Sequence, residues 1–353
     1  MNPDLAGLFP VDPTPQDPVQ AALETLYSGN SLTQRASEQL FAELVEGRLS
    51  EPAIASMLVA LRLKGETADE LIGAARALRA ADADFERPDY LFADTCGTGG
   101  DGSGSINIST AVAFVASAAG LPIAKHGNRS ITSRCGSADV LEHLGVKLDC
   151  SAEVSRRALD EVGICFLFAP NYHPGLRHAG PVRRALGVRT IMNVLGPCLN
   201  PAEPPVQLLG VADPRLLRPV AETLAALGVG RALIVHGDGL DEVALHGETQ
   251  AVRLTDGIFE ELTMTPEQAG LERAPLTLLK GGGPEENAER LKALLLGFGT
   301  AVERQMVAIN AGALLLTAGL AQDLKGGVAM ASDVLASGSA CSQLTRFVEA
   351  SRG

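Results

Sequence analysis

The residues best suited to chemistry begin at 97, where Gly97-Thr98-Gly99-Gly100-Asp101-Gly102-Ser103-Gly104 puts five glycines into eight positions. Glycine lets the chain approach a ligand closely and turn successive N–H groups toward one cavity, which suits phosphate oxygens. Asn107-Ile108-Ser109-Thr110 then opens a helix, adding hydroxyls and unpaired amides at the positive end of its dipole. The string also satisfies GxGxxG. However, no ribose-binding acid stands about 20 residues further on, and the next strand leads into the basic run Lys125-His126-Gly127-Asn128-Arg129-Ser130. Gly-Lys-Ser/Thr is absent too, so nucleotide sites of both kinds are disfavoured.

In the second cluster, Lys125 and Arg129 supply cations, Asn128 a two-faced amide, and Ser130, Thr132, Ser133 and Ser137 hydroxyls. Alone, such a loop is ordinarily just solvated. Beside the glycine loop, on the carboxyl edge of a parallel sheet, it favours a ligand with several anionic groups and hydroxyls, such as a phosphorylated sugar. Asp241-Glu242, two adjacent acids after a strand and glycines, suit a hard cation that keeps several waters and bridges diphosphate oxygens. They read equally well as acids in a turn. Arg183, next to Arg184, either caps a helix near Pro181 or meets a carboxylate in the two-pronged way that lysine cannot.

The elements that position these residues follow from periodicity. From 19 to 81 apolar residues recur at threes and fours, as in Leu40-Phe41-Leu44-Val45 and Met57-Leu58-Leu61. Ser50 with Pro52 marks one helix start and Thr67-Ala68-Asp69-Glu70 forms a capping box, while Gly29, Gly47 and Gly65 sit at ends. After Pro88 the character changes to strands at 90–93, 122–125, 164–169, 206–211 and 231–235, alternating with helices at 109–119, 139–144, 153–162 and 215–227. That alternation predicts a mostly parallel sheet covered by helices. Three helices are expected to close the chain, at 285–297, 301–318 and 327–350. The fold class is therefore α/β, with a small all-helical domain.

Composition narrows the function further. The 353 residues hold 29 Lys+Arg and 42 Asp+Glu, a net charge of −13, which opposes binding to nucleic acid or an anionic membrane. Hydrophobic residues make up 46%, enough for packed cores. The six cysteines are scattered without CxxC spacing and read as reduced thiols. No basic-then-apolar signal opens the chain, and its apolar runs fall short of the ~20 residues of a membrane span. A soluble, cytoplasmic protein is expected.

The strings at 97–110 (GTGGDGSGSINIST), 125–141 (KHGNRSITSRCGSADVL), 169–183 (APNYHPGLRHAGPVR), 189–201 (RTIMNVLGPCLNP) and 236–242 (HGDGLDE) together resemble the anthranilate phosphoribosyltransferase family. The resemblance runs from about 20 to 340. It implies transfer of 5-phosphoribose from phosphoribosyl pyrophosphate (PRPP) to the amino group of anthranilate, with release of pyrophosphate, in tryptophan biosynthesis. It also implies Mg²⁺, an oxocarbenium-like transition state, and a nucleoside-phosphorylase-type fold with the site in a hinge cleft. The expected layout is a flexible leader at 1–16, a helical domain at 17–88 with a contribution from about 174–202, and an α/β domain at 89–353. A homodimer through the helical domain is implied, and any association with anthranilate synthase is expected between separate chains.

Residue by residue, the resemblance assigns Gly97, Gly99, Gly100, Asp101, Ser105, Asn107, Ser109, Thr110, Lys125 and Ser137 to PRPP. It assigns Gly97, Asn128, His173 and Arg183 to anthranilate, with Arg183 opposite the carboxylate, and Ser109, Asp241 and Glu242 to Mg²⁺, directly or through water. An aromatic amine is already neutral at pH 7, so no dedicated general base is assigned; His126 and His173 assist or shape the site at most, and each reads equally well as a structural hydrogen-bonder. Ser105-Ile106, Cys135 and Gly175-Leu176 depart from the family's usual residues. Cys135 is expected to make its loop oxidation-sensitive, and Gly175-Leu176 to loosen the wall of the amine channel. The alternatives are a pyrimidine nucleoside phosphorylase of the same fold and a non-catalytic relative that binds nucleic acid or a partner.

Overall fold

The computed structural model describes residues 17–130 and 134–353; the leader expected at 1–16, together with Thr132 and Ser133, lies outside them. Four helices come first: α1 (Pro18–Tyr27), α2 (Gln34–Val45), α3 (Glu51–Lys64) and α4 (Ala68–Ala80). Their starts follow the anticipated chemistry, with Ser50 accepting from the Ala53 amide and the Thr67–Glu70 capping box formed in both directions. Glu70 does more than cap. Its buried carboxylate also accepts from the Leu32 amide at 2.9 Å and from Lys64 at 2.8 Å, tying α4 to the α1–α2 connection.

The larger part is a seven-stranded sheet: β1 (Ala93–Gly97), α5 (Ile108–Ala118), β2 (Ile123–Gly127), α6 (Ser137–His143), α7 (Ala152–Val162) and β3 (Ile164–Phe168). There follow α8 (Ala169–Tyr172), α9 (Gly180–Leu186), α10 (Ile191–Cys198), β4 (Val206–Gly210), α11 (Leu217–Ala226) and β5 (Arg231–Gly237). The chain ends with β6 (Thr249–Thr255), β7 (Ile258–Met264), α12 (Pro284–Leu295), α13 (Ala301–Thr317), α14 (Leu324–Ser337) and α15 (Ser339–Ala350). The strand order is β3-β2-β1-β4-β5-β6-β7, parallel through β5 and antiparallel for the last two pairs. The protein thus has a helical N-terminal part and a larger α/β part with a mostly parallel sheet.

Central strands carry apolar residues on both faces because both are covered. In β4 and β5, Leu208, Leu233 and Val235 join one core with α5, α7 and α12–α15, whereas Leu209, Ala232 and Ile234 join another with α11 and α1–α4. Val182, Ile191, Met192 and Leu195 of α9 and α10 belong to that second core.

Several boundaries differ from expectation. The strand read at 90–93 lies at Ala93–Gly97, with Leu91 exposed; polar Asp94 and Thr95 hid it, though both are buried. The hairpin β6–β7 was missed altogether. Its signal was Asp256-Gly257, a two-residue turn with φ of 49° and 82° between alternating apolar residues. The single helix read at 327–350 is two helices, because Gly338 takes φ 70° and ends α14.

Candidate active site

Strands β1, β2 and β3 step outward in one direction and β4 lies on the opposite flank of β1, so the connections diverge at the β1/β4 pair. In open α/β sheets ligands bind beyond the carboxyl ends of strands at such a switch point. Here the loops after β1, β2 and β5 meet around a cavity of about 320 Å³. Gly97 and Gly210 close adjacent strand ends, and a Cβ on either would strike Asp241, so the missing side chains are what admit the 238–242 turn. Asp241 then accepts from the Gly99 amide at 2.7 Å. Asp101 closes its own turn by accepting from the Ser103 amide and hydroxyl, each at 3.0 Å. The stem of the glycine loop is strapped to the 279–281 segment, through Ile106 N–H to Leu279 C=O and Gly281 N–H to Gly104 C=O.

The electrostatics of this end are those of crowded acids. Burial, then the neighbouring Asp101, raise the Asp241 carboxyl to about 7. Burial, then Asp241, push Glu242 well above the ordinary carboxylate range. Among the described residues, one buried oxygen of Asp101 and the buried hydroxyl of Thr110 have no hydrogen-bond partner. Acids in this state suit a hard divalent cation. Among the described residues no three Asp, Glu, His or Cys side chains converge into a cage. A Mg²⁺ ion there would draw its remaining ligands from phosphate oxygens and water, so the donor set fits.

Lys125 lies beside these acids, 3% exposed, donating to the Thr95 carbonyl at 2.6 Å and to Ser109 Oγ at 3.3 Å. It spans a gap: β1 and β2 pair only at Ala93–Ile123, whereas β1 and β4 pair along five residues. Buried Asp94 and Asn200 bridge the same opening. Asp94 accepts from the His126 amide at 3.3 Å and from Asn200 at 2.9 Å, and Asn200 donates to the Ala124 carbonyl at 2.7 Å.

A different chemistry lines the rest of the cavity. Arg183 of α9 is half-buried and, among the described residues, its guanidinium forms no hydrogen bond or ion pair; burial alone lowers its pKa. Asn128, His126 and His173 line the same cavity, with Ala169, Leu176, Met192 and Leu199 supplying apolar surface. Such a lining suits a flat apolar group bearing a carboxylate, as the crowded acids suit a cation.

Comparison with known proteins identifies the family. Residues 89–341 match the model of the glycosyl transferase family a/b domain, and 20–81 that of its helical bundle domain. Over 334 residues, covering 95% of this chain and 96% of the relative, the sequence is 57% identical to the anthranilate phosphoribosyltransferase of Sorangium cellulosum. The chain belongs to the anthranilate phosphoribosyltransferase family. The crystal structure of the family's Thermus thermophilus member superposes with a TM-score of 0.88 at 45% identity, covering 94% of this chain and 99% of that one. The Saccharomyces cerevisiae anthranilate phosphoribosyltransferase in complex with PRPP and Mg superposes at 0.86 with 27% identity, covering 95% and 98%.

All the residues that family resemblance nominates line the one cavity: Gly97, Gly99, Gly100, Asp101, Ser105, Asn107, Ser109, Thr110, Lys125, Ser137, Asn128, His173, Arg183, Asp241 and Glu242. Several neighbouring expectations need correction. Arg129 is no free cation for a ligand, since it forks onto Glu142 at 2.7 and 2.8 Å and reaches Asp139 at 3.2 Å. Cys135 is buried, and its thiol is pushed up to about 11 mainly by burial, which works against thiolate formation and the expected oxidation sensitivity. Gly175 tightens the channel wall rather than loosening it, because a Cβ there would strike Val45 of α2.

Reading the family motifs also passed over residues that the fold brings in. Arg189 packs over the glycine loop and donates to the Gly99 carbonyl, while Arg62 of α3 donates to the Arg189 carbonyl. Met192, Asn193 and Leu199 line the cavity from α10 and the residue after it. The run at 189–201 was the signal available, but nothing in it shows which way each side chain points.

Proposed function

We propose that this chain transfers 5-phosphoribose from PRPP to the amino group of anthranilate, releasing pyrophosphate, with Mg²⁺ as cofactor. The observation that carries the reading is Arg183, a half-buried guanidinium without an acid partner among the described residues, in the same cavity as the glycine loop and the crowded acids. An unpaired buried charge is costly unless a ligand supplies its counter-ion, and the anthranilate carboxylate is such a counter-ion. The Mg²⁺–PRPP complex of the yeast relative supports the other half.

In this reading the glycine loop at Gly97, Gly99 and Gly100 and the α5 start at Asn107, Ser109 and Thr110 receive the diphosphate and ribose, with Asp101, Ser105 and Ser137 alongside. Lys125, fixed by Thr95, faces charge that grows as the leaving group departs. Ser109, Asp241 and Glu242 hold Mg²⁺, directly or through water. When bound, the ion would neutralise part of the diphosphate charge. Asn128, His173 and Arg183 position anthranilate so that its neutral amine meets a sugar carbon of oxocarbenium character; no side chain is needed to deprotonate it first. We assign the helical domain to 17–88, with 174–202 packed onto it, and the α/β domain to 89–353. Solvent-facing Tyr27 and Leu63, 53% and 81% exposed, support pairing of two copies through the helical domain.

The direct test is loss of anthranilate fluorescence on mixing purified protein with PRPP, Mg²⁺ and anthranilate. Decay is expected only with all three present, and none at all would reject the proposal. Phosphorolysis of thymidine or uridine in place of that decay would favour the nucleoside phosphorylase alternative.

A further inference from the structure

The segment joining α4 to β1 is fastened to the end of α8 at three points. Ala83 N–H donates to the Tyr172 carbonyl at 2.8 Å, Phe85 meets the Tyr172 ring edge-on at 6.1 Å, and Asp82 Oδ1 accepts from His173 Nδ1 at 2.5 Å. His173 Nε2 in turn lies 3.0 Å from His126 Nε2, with the two rings at 75°. Both imidazoles are buried, His173 at 5% and His126 at 6% exposed, and the Asp82 side chain is 11% exposed. Both ring nitrogens of His173 are therefore engaged, and it meets the cavity with ring carbons rather than a free N–H. A carboxylate can only accept, so the proton on His173 Nδ1 is set by Asp82. Only one proton fits between the two facing Nε2 atoms, and burial holds His126 neutral.

We propose that Asp82 is a positioning residue for the aromatic amine: by holding the proton on His173 Nδ1 it locks both imidazoles into one preformed wall of the cavity that Arg183 also lines. The inference rests on the function proposed above. Without the carboxylate the His173 ring is free to rotate, Nε2 turns from His126, and the wall must be ordered by the incoming substrate.

The test uses the full chain. Asp82→Ala should raise the KM for anthranilate about tenfold and leave that for PRPP within about twofold, as expected for loss of one charged hydrogen bond. Asp82→Asn, whose amide oxygen still accepts from Nδ1–H, should recover most of that loss. Nitrogen–proton NMR of the wild-type imidazoles, with His173 assigned by its loss in His173→Gln, should show a protonated Nδ1. An unprotonated Nδ1, an unchanged anthranilate KM, or equal rises in both KM values would overturn the proposal. The NMR result stands whatever the variant's folding and whatever the reaction. A wild-type protein that consumes no anthranilate would instead reject the function itself.

Discussion

Asp241 holds its proton up to about pH 7, whereas an unfolded aspartate releases its own near 3.9. Between those values the folded state binds more protons than the unfolded chain, so this group makes stability fall as pH rises, with the full loss present above about 7. Asp241→Asn removes that contribution. The drop in melting temperature between pH 5 and pH 8, measured without metal, should therefore be smaller in the variant by about 3 °C; an unaltered drop would contradict the crowding of acids. Function should move the other way, with Asp241→Asn plus Glu242→Gln shifting the Mg²⁺ titration of turnover to higher concentrations. At the amine end, Arg183→Ala should raise the anthranilate KM roughly 10- to 100-fold, and the PRPP KM far less, because a charged hydrogen bond contributes about 1.5–3 kcal/mol. Equal effects on both substrates would remove that assignment. These residues were legible in the sequence because their types are rare in combination. Arg129 was misjudged because its partners Asp139 and Glu142 stand a helix away.

Whether an element forms is a local matter; where it presses is not. The Thr67–Glu70 cap, the Ser50 start and the Gly-ended helices were readable because each turn satisfies its own backbone. Hairpin β6–β7 carries an equally local signal in Asp256-Gly257, which stands outside the strand–helix alternation of the preceding strands. Gly210 is the contrary case. Its backbone is ordinary strand, and only the arrival of Asp241 from the β5 loop shows why a side chain cannot stand there. Gly210→Ala should cost about 1–3 kcal/mol by overpacking and lose most turnover, since it displaces the acid pair; activity near wild type would show that the turn yields freely. In the helical part, Glu70→Ala leaves Lys64 buried without its partner, and denaturant unfolding should register a loss of about 3–5 kcal/mol.

At the scale of the whole molecule, the sheet order brings three loops distant in sequence to one switch point, and the α4–β1 segment runs past the cavity on its way between the two parts. Arg62, Arg189 and Gly99 link α3 to the glycine loop through consecutive hydrogen bonds. Leu63 faces solvent on α3, and Leu63→Asp should convert the proposed dimer to monomer in light scattering, with the fold retained by circular dichroism. A dimer that survives the change would place the interface elsewhere.

The chain's own pattern determined the helical and α/β halves, the anion cradle and the residue types offered to a cation and a carboxylate, because periodicity and side-chain chemistry act over a few residues. Tertiary structure alone decided that Lys125 lies fixed in the β1–β2 gap, that Arg183 lacks a counter-ion among the described residues while Arg129 has two, and that Asp82 meets His173. Pairing of charges depends on burial and on neighbours from distant segments, and neither can be read from spacing along the chain.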